Sequence, residues 1–505
     1  MKNILILGGG TAGWMTANAL QHVLKNQGFS ISLVESPDIG TIGVGEGSTP
    51  HLKRFFDNLH ISENEWMPAC NATYKNGINF IDWTEHLDNN SYFHPFPSII
   101  DRQTAGAFLT NCMSRHHGHL VEVNPDKFFL AKTLSAGGYG PLSASGQPKI
   151  AMNYAYHFDS VLLGKFLANK GKSAGVKHFE GKFVKAFNNN IGNISHIELE
   201  DKRTLQADFF IDASGFASYL LQQHCGVEFV SFANSLFNDS AVALPSEVVH
   251  PILAETRATA LKYGWAWQIP LTNRIGNGYV FSSKYTNFEQ AEIELREHLV
   301  KNNIVVNDKV PAKHLKMKVG QVKHAWCNNV MAIGLAQGFI EPLEATALHM
   351  VMDSIDVFIQ TFKNGEFVEN DRDSFNNAIS NRYLGIKDYI VCHYKINRKN
   401  NSKYWQDCRD IKDISSNLDA VLHAWCNKQD ITPVLQKLDM LRYYPAISWY
   451  CLLAGYDYFE HTQLSNTKLS QQKIDFSYQE QVRMHKFLQK SAAQFAIHEK
   501  FFPIE

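Results

Sequence analysis

Apolar residues run unbroken from Ile4 to Leu7, which predicts a short strand buried on both faces of a parallel sheet. Ile31-Ser32-Leu33-Val34 reads as a second strand, and Met15 to Leu20 between them is helical in pattern. Residues 51 to 87 read as mainly helical, and residues 100 to 150 as irregular and rich in Gly, Ser and His. Tyr154 to Asp159 reads as the opening of a helix that runs to about Asn169. A β-rich stretch follows from Val176 to Asp208, with a turn at Asn188-Asn189-Asn190, and leads to an apolar strand ending in Asp212-Ala213-Ser214-Gly215. Trp265, Trp267 and Ile269 alternate, so they share one face of a strand. Arg274 to Ser283 reads as the turn and return strand of a hairpin, bent at Gly276-Asn277-Gly278. Val330 to Ile333 is another buried strand, followed by a loop and a helix to about Phe362.

From 363 to 505 the pattern is helical, with a last amphipathic helix near Ile474 to Phe501. The pattern predicts an α/β fold, doubly wound around a parallel sheet, with a mainly helical C-terminal part. Residues 1–362 form the expected core, with β-rich segments inserted, and 363–505 a helical cap that completes a pocket.

Composition narrows the class. The 505 residues are 45% apolar and 19% charged with a net charge of −1, so no bulk field attracts nucleic acid or an anionic membrane. No apolar run approaches the roughly 18 residues that span a bilayer, and the first residues read as a strand rather than a signal peptide. Eight scattered cysteines without a C-x-x-C pair argue against a zinc site or a disulfide framework. These readings favour a soluble cytoplasmic protein, monomeric or homodimeric, with no metal.

Candidate chemistry begins at Gly8, Gly10 and Gly13, which give the G-x-G-x-x-G spacing of a dinucleotide-binding turn. Gly8 permits the tight turn, Gly10 admits a pyrophosphate, and Gly13 lets the following helix pack closely. Glu35 stands 22 residues beyond Gly13, near the offset of an acid that binds a ribose hydroxyl. Gly40 to Pro50 holds four glycines, a segment whose backbone can lie against a flat ligand. The strand ending at Asp212 returns the chain to the nucleotide, an arrangement typical of FAD rather than NAD. Lys75 is a single lysine in a largely uncharged neighbourhood, and Tyr92 to Pro97 clusters aromatics with prolines. Gly334 to Leu348 forms a second strand-loop-helix whose helix N-terminus suits an anion.

Together these stretches resemble the flavin-dependent tryptophan halogenases over nearly the whole chain. The resemblance rests on Gly8 to Trp14, Gly45-Glu46-Gly47-Ser48-Thr49-Pro50, and Lys75 in its Ala-Thr-Tyr-Lys setting. It rests also on Trp265-Ala266-Trp267-Gln268-Ile269-Pro270, which matches the W-x-W-x-I-P signature, and on Phe339 to Glu344. The resemblance implies a flavin monooxygenase-like domain that binds FAD through Gly8, Gly10, Thr11, Ala12, Gly13, Trp14, Glu35, Gly45, Glu46, Ser48, Asp212, Gly334 and Leu348. It implies that reduced FAD, supplied by a separate flavin reductase, and oxygen give a flavin hydroperoxide. A halide held at Thr346 and Ala347 attacks it to give hypohalous acid, which reaches Lys75. Glu344 orients the electrophile or takes the proton lost from the ring.

On the substrate side, His94 and Phe96 match the residues that sandwich an indole, and Tyr443 and Tyr444 fall at the opposite wall. Asp439 falls where a glutamate binds the amino group of tryptophan. The tyrosines that hold the carboxylate have no counterpart near Ile431-Thr432-Pro433, so an indole-type aromatic rather than free tryptophan is the expected substrate. Ala347 replaces a family glycine. The alternatives are a flavin-dependent aromatic monooxygenase, a halogenase of free tryptophan, and a non-catalytic flavin-binding protein.

Overall fold

The computed structural model describes residues 2–38, 45–85, 90–143, 151–307, 309–362, 369–459 and 471–502. Gly40 to Val44 of the glycine-rich segment lie outside them. The chain forms two compact units, each gathered from three segments. The first takes residues up to Ala72, Phe158–Asp239 and Lys316–Leu384; the second takes Thr73–His157, Ser240–Leu315 and Gly385 onward. The division falls inside the helix Glu369–Lys395, where the order of the sequence alone suggests a cut after residue 362.

The first unit is built on a six-stranded sheet. Its order is Trp326–Cys327, Val330–Ala332, Phe209–Asp212, Lys2–Leu7, Phe29–Glu35 and Lys177–Glu180. All neighbours are parallel except the edge strand Trp326–Cys327. The continuous apolar runs are explained by this sheet: Ile4, Ile6, Phe209, Phe210, Ile211 and Val330 are fully buried. Leu7 pairs with both Asp212 and Val34, so the strands end level and their exits share one edge. The opening helix Thr11–Leu24 packs on the helix Ser160–Ser173, where Asn18 Nδ2 donates to Leu167 O at 2.8 Å.

The second unit is built on a seven-stranded sheet that includes Glu255–Ala260, Gly264–Pro270, Ile275–Phe281, Gly77–Ile81 and Ser91–Pro95. Gly77–Ile81 runs parallel to Glu255–Ala260 and antiparallel to Ser91–Pro95. The hairpin after Pro270 turns at Leu271 to Arg274, not at the glycines: Leu271 N donates to Arg274 O at 2.9 Å. Gly276 to Gly278 lie within the return strand, and Gly278 is small because the Trp267 ring lies over it.

Four other expectations need correction. Helices cover His51–Asn58 and Glu63–Ala69, but Thr73–Lys75 and Gly77–Ile81 are strands. Arg102–His116 is a four-turn helix hidden by a composition poor in periodic apolar residues. Ala155–Phe158 is a buried strand, and Asp159 caps the helix by accepting from Val161 N at 2.9 Å and Leu162 N at 3.1 Å. The last helix is Gln471–Ala492; Phe495–Ile497 leaves it to pair with Tyr139–Ser143. Among the described residues no helix is long and apolar enough to cross a membrane.

The turn that leaves Phe209–Asp212 is organised by the buried Asp212 carboxylate. Oδ1 accepts from Ser214 N at 3.1 Å and Ser214 Oγ at 2.5 Å, and Oδ2 from Leu220 N at 2.8 Å and Leu221 N at 2.9 Å. Burial pushes this carboxyl above its usual pKa, and the hydrogen bonds work against that rise. Asp212→Asn sets an amide donor against backbone N–H groups and should destabilise the protein by about 1–3 kcal/mol. Urea unfolding measures it; an unchanged midpoint would show that this carboxylate does not organise the turn.

Candidate functional site

In the first unit the site starts at the glycine turn. Gly8 has φ +121°, and a Cβ there would strike the Ala213 carbonyl. A Cβ on Gly13 would collide with the Gly8 carbonyl oxygen, as the close packing of helix on strand requires. Gly9, an unassigned position in the spacing, also has to be small, because a Cβ there would land on the Glu35 carboxylate. Glu35 ends its strand over this turn and is fixed by His178, whose Nε2 lies 2.7 Å from Oε1. Gly10 begins the opening helix with no side-chain cap, and the space beside its Cα is open. Uncapped amides at a helix N-terminus and an open approach at Gly10 fit a dinucleotide pyrophosphate, and Glu35 fits its ribose.

The other expected cofactor residues divide into groups. Gly45 and Ser48 are buried; Gly334 has φ +62° and faces Ala12, 2.8 Å from where its Cβ would stand; Leu348 is buried at the start of the helix Ala347–Phe362. Glu46 is partly exposed, yet burial of its carboxyl, with Asp159 adding, raises its pKa to about 7. Thr11 Oγ1 donates to Ser160 O at 3.1 Å. Trp14 is buried, with its ring centroid 5.6 Å from that of His178. The side chains of Thr11, Trp14 and Asp212 are thus engaged in holding the turn together.

The second strand-loop-helix carries the other candidates of this unit. Pro342–Glu344 is a short 3-10 turn, closed where Ala345 N donates to Pro342 O at 3.0 Å. Ala345 has φ +55°, an uncommon backbone for a non-glycine residue beside a candidate site. Glu344 and Thr346 are buried. Ala347 is the first residue of its helix, a conformation any L residue adopts, so replacing the family glycine costs no backbone strain. Glu341, which the sequence did not single out, is fully buried and accepts from Asn238 Nδ2 at 2.8 Å. His51, just after Pro50, stacks on His349 at 3.6 Å, which ties the end of the glycine-rich segment to this helix.

In the second unit, Lys75 is fully buried at the end of the strand Thr73–Lys75, with Nζ 5.6 Å from the Phe96 ring centroid. Two histidines clamp that strand. Thr73 Oγ1 donates to Pro270 O at 2.7 Å, so at 3.2 Å it accepts from His157 Nδ1. A lowered pKa keeps His157 neutral, so its Nε2 accepts from Thr256 Oγ1 at 2.8 Å. Burial, then the Lys75 cation and His498, hold its pKa well below the ordinary value. His498 Nε2 accepts from Tyr74 N at 3.2 Å while Nδ1 donates to Ile252 O at 2.9 Å, so it too is neutral, with burial lowering its pKa to about 4. Pro270 ends the W-x-W-x-I-P stretch, which therefore holds the lysine's strand. Gly77 follows closely, and a Cβ there would strike the His94 carbonyl and come within 2.5 Å of the Phe93 ring.

His94 and Phe96 follow from that pairing, with His94 opposite Ile78. His94 is buried 6.0 Å from Tyr389, and Tyr389 stacks on Tyr444 at 3.7 Å and 11°. Tyr389 is a third member of the aromatic row, missed because it sits mid-helix in Glu369–Lys395; its hydroxyl donates to Ser448 O at 3.0 Å. Tyr443 packs its ring over Gly385. Asp439 is exposed and paired with Arg442 at 3.2 Å.

The neutral histidines set a pH dependence. His498 titrates at about 4 when folded and near 6.5 when unfolded, so between these values the unfolded chain binds the extra proton. Stability should therefore fall as the pH drops below 6.5, by about 2 kcal/mol at pH 5 from His498 alone. Urea unfolding at pH 7 and pH 5 reads this directly, and equal stabilities would contradict the neutral clamp.

Residues 3–472 match the family model described as tryptophan halogenase. Tryptophan 6-halogenase of Streptomyces toxytricini is 36% identical over 430 residues, covering 80% of each chain. 7-chloro-L-tryptophan 6-halogenase of Kutzneria sp. (strain 744) is 34% identical over 484 residues, covering 90% of each. The crystal structure of the Streptomyces toxytricini enzyme superposes with a TM-score of 0.86 at 31% identity, covering 100% of both chains. With the glycine turn, the buried lysine and the W-x-W-x-I-P strand in the places described, the chain belongs to the flavin-dependent tryptophan halogenases, and it is an enzyme of that family.

Proposed function

We propose that the protein halogenates an indole-type aromatic in a reaction that depends on reduced FAD and oxygen. Lys75 carries the electrophilic halogen and Glu344 acts as base. The observation that supports this most is Lys75 itself, an ammonium fully buried over Phe96 on a strand held by two neutral histidines. Reduced FAD, when bound, supplies with oxygen and a halide the hypohalous acid. The first turn of the opening helix and Glu35 hold the cofactor, and the buried Thr346 hydroxyl with the Ala347 amide holds the halide. The Lys75 ammonium hydrogen-bonds the hypohalous acid, or the Lys75 amine, its extra proton given up, attacks the halogen and forms a haloamine as water leaves. The Glu344 carboxylate takes the ring proton. A separate flavin reductase supplies the reduced cofactor, and a cytoplasmic setting fits eight free cysteines. Bromide, the more easily oxidised halide, is favoured over chloride.

Lys75→Ala should abolish halogenated product while FAD binding, followed by quenching of flavin fluorescence, stays intact. Glu344→Gln should slow product formation by a factor on the order of 10² to 10⁴, because water replaces a base in part. Near wild-type halogenation by Lys75→Ala would refute the assigned role.

The substrate reading rests on the second unit. Phe96 and His94 preserve faces for a flat electron-rich ring, while the Asp439 carboxylate is already paired with Arg442 and the Tyr389 hydroxyl with Ser448. Among the described residues an amino acid's ammonium and carboxylate thus lack most of their matched partners, a cost of several kcal/mol, roughly, for each charge if buried. Free tryptophan is the second reading, favoured by what the relatives are named for. Indole and tryptophan at equal concentration, with bromide and a flavin reductase, decide between them. More brominated indole is expected, and a clear preference for tryptophan would restore the second reading.

A further inference from the structure

Of the eight cysteines, five are buried, and Cys225, Cys327 and Cys426 are partly exposed. Two of these three meet. Cys225 ends the turn Tyr219–His224, which packs on the strand Val330–Ala332. Cys327 ends the edge strand Trp326–Cys327 and pairs opposite Val330 of that same strand. The two thiols come within hydrogen-bonding reach of each other. The helix Glu369–Lys395 adds a third element. Its Asn376 accepts from Trp326 N at 2.8 Å and donates to Trp326 O at 2.9 Å, and Arg372, one turn earlier, lies near Cys327.

We propose that Cys225 and Cys327 form a reversible redox pair, a dithiol that peroxide converts to a disulfide. The roles are unequal. The hydrogen bond from Cys225, then the Arg372 charge, bring the Cys327 thiol down to about 6, while the same bond pushes Cys225 up. Cys327 is the thiolate that attacks one oxygen of hydrogen peroxide. The O–O bond breaks, hydroxide leaves and takes up the displaced proton as water, and Cys327 becomes a sulfenic acid. Cys225 then attacks the sulfenic sulfur, the S–O bond breaks, and a second water leaves. Two thiols lose two electrons and two protons, and one peroxide becomes two waters. The bond ties the turn held by Asp212, through Leu220 and Leu221, to the strands that lead into Gly334. Oxidation thereby clamps two of the segments that leave the first unit's sheet.

The test uses the reduced full chain with one equivalent of hydrogen peroxide, quenched with an alkylating agent and mapped by mass spectrometry. The expected result is loss of two alkylatable thiols, a mass lower by two hydrogens, a cross-linked Cys225–Cys327 peptide, and reversal by dithiothreitol. Cys225→Ser should stop at the Cys327 sulfenic acid and give a dimedone adduct there, while Cys327→Ser should leave Cys225 unmodified. Both sites are partly exposed, so thermal unfolding checks that the variants stay folded. Two still-alkylated thiols after peroxide, oxidation at Cys426 first, or only intermolecular dimers would overturn the proposal.

Discussion

The constraint on which the second unit depends is an ammonium held out of water. A buried cation is costly unless its surroundings are fixed and polar contacts are made, and the group otherwise neutralises or the structure opens. Here the strand that bears Lys75 has no freedom to open. Its first residue is tied to Pro270 and His157, its second to His498, and Asn76 N beyond it donates to Ala254 O at 2.7 Å. Burial holds both histidines neutral, and at His157 the Lys75 cation adds to it. Rigidity at this point comes from hydrogen bonds at the backbone and Thr73.

The first unit meets a different demand, the close approach of one backbone segment to another. It does so by removing side chains. Gly13 lets the opening helix sit against the turn, and Gly9 makes room for the Glu35 carboxylate that His178 holds in place. The Asp212 carboxylate, at the end of its buried strand, organises its own turn. Its partners, rather than its place in the sequence, show that role.

Much of this was legible along the chain. Continuous apolar runs forecast the parallel strands, and glycine spacing forecast the turn, because both are local consequences of backbone sterics and burial. The alternation of Trp265, Trp267 and Ile269 forecast their common face. The bend after Pro270 was misplaced because glycine serves turns and close contacts alike, and Gly278 proved to be making room for Trp267. Tyr154 to Asp159 misled because four buried residues carry no usable period.

What the sequence alone determined, then, were the features whose causes lie within a few residues: buried strands, glycine turns, and short motifs that resemble a halogenase. The tertiary structure decided which groups meet. His498 lies 424 positions from Tyr74, and Pro270 lies 197 from Thr73, yet these contacts hold the lysine's strand. Tyr389 joins His94 to Tyr444 across three separate stretches of the second unit. No local pattern encodes such meetings, because they follow from sheet register and packing that the whole unit settles at once.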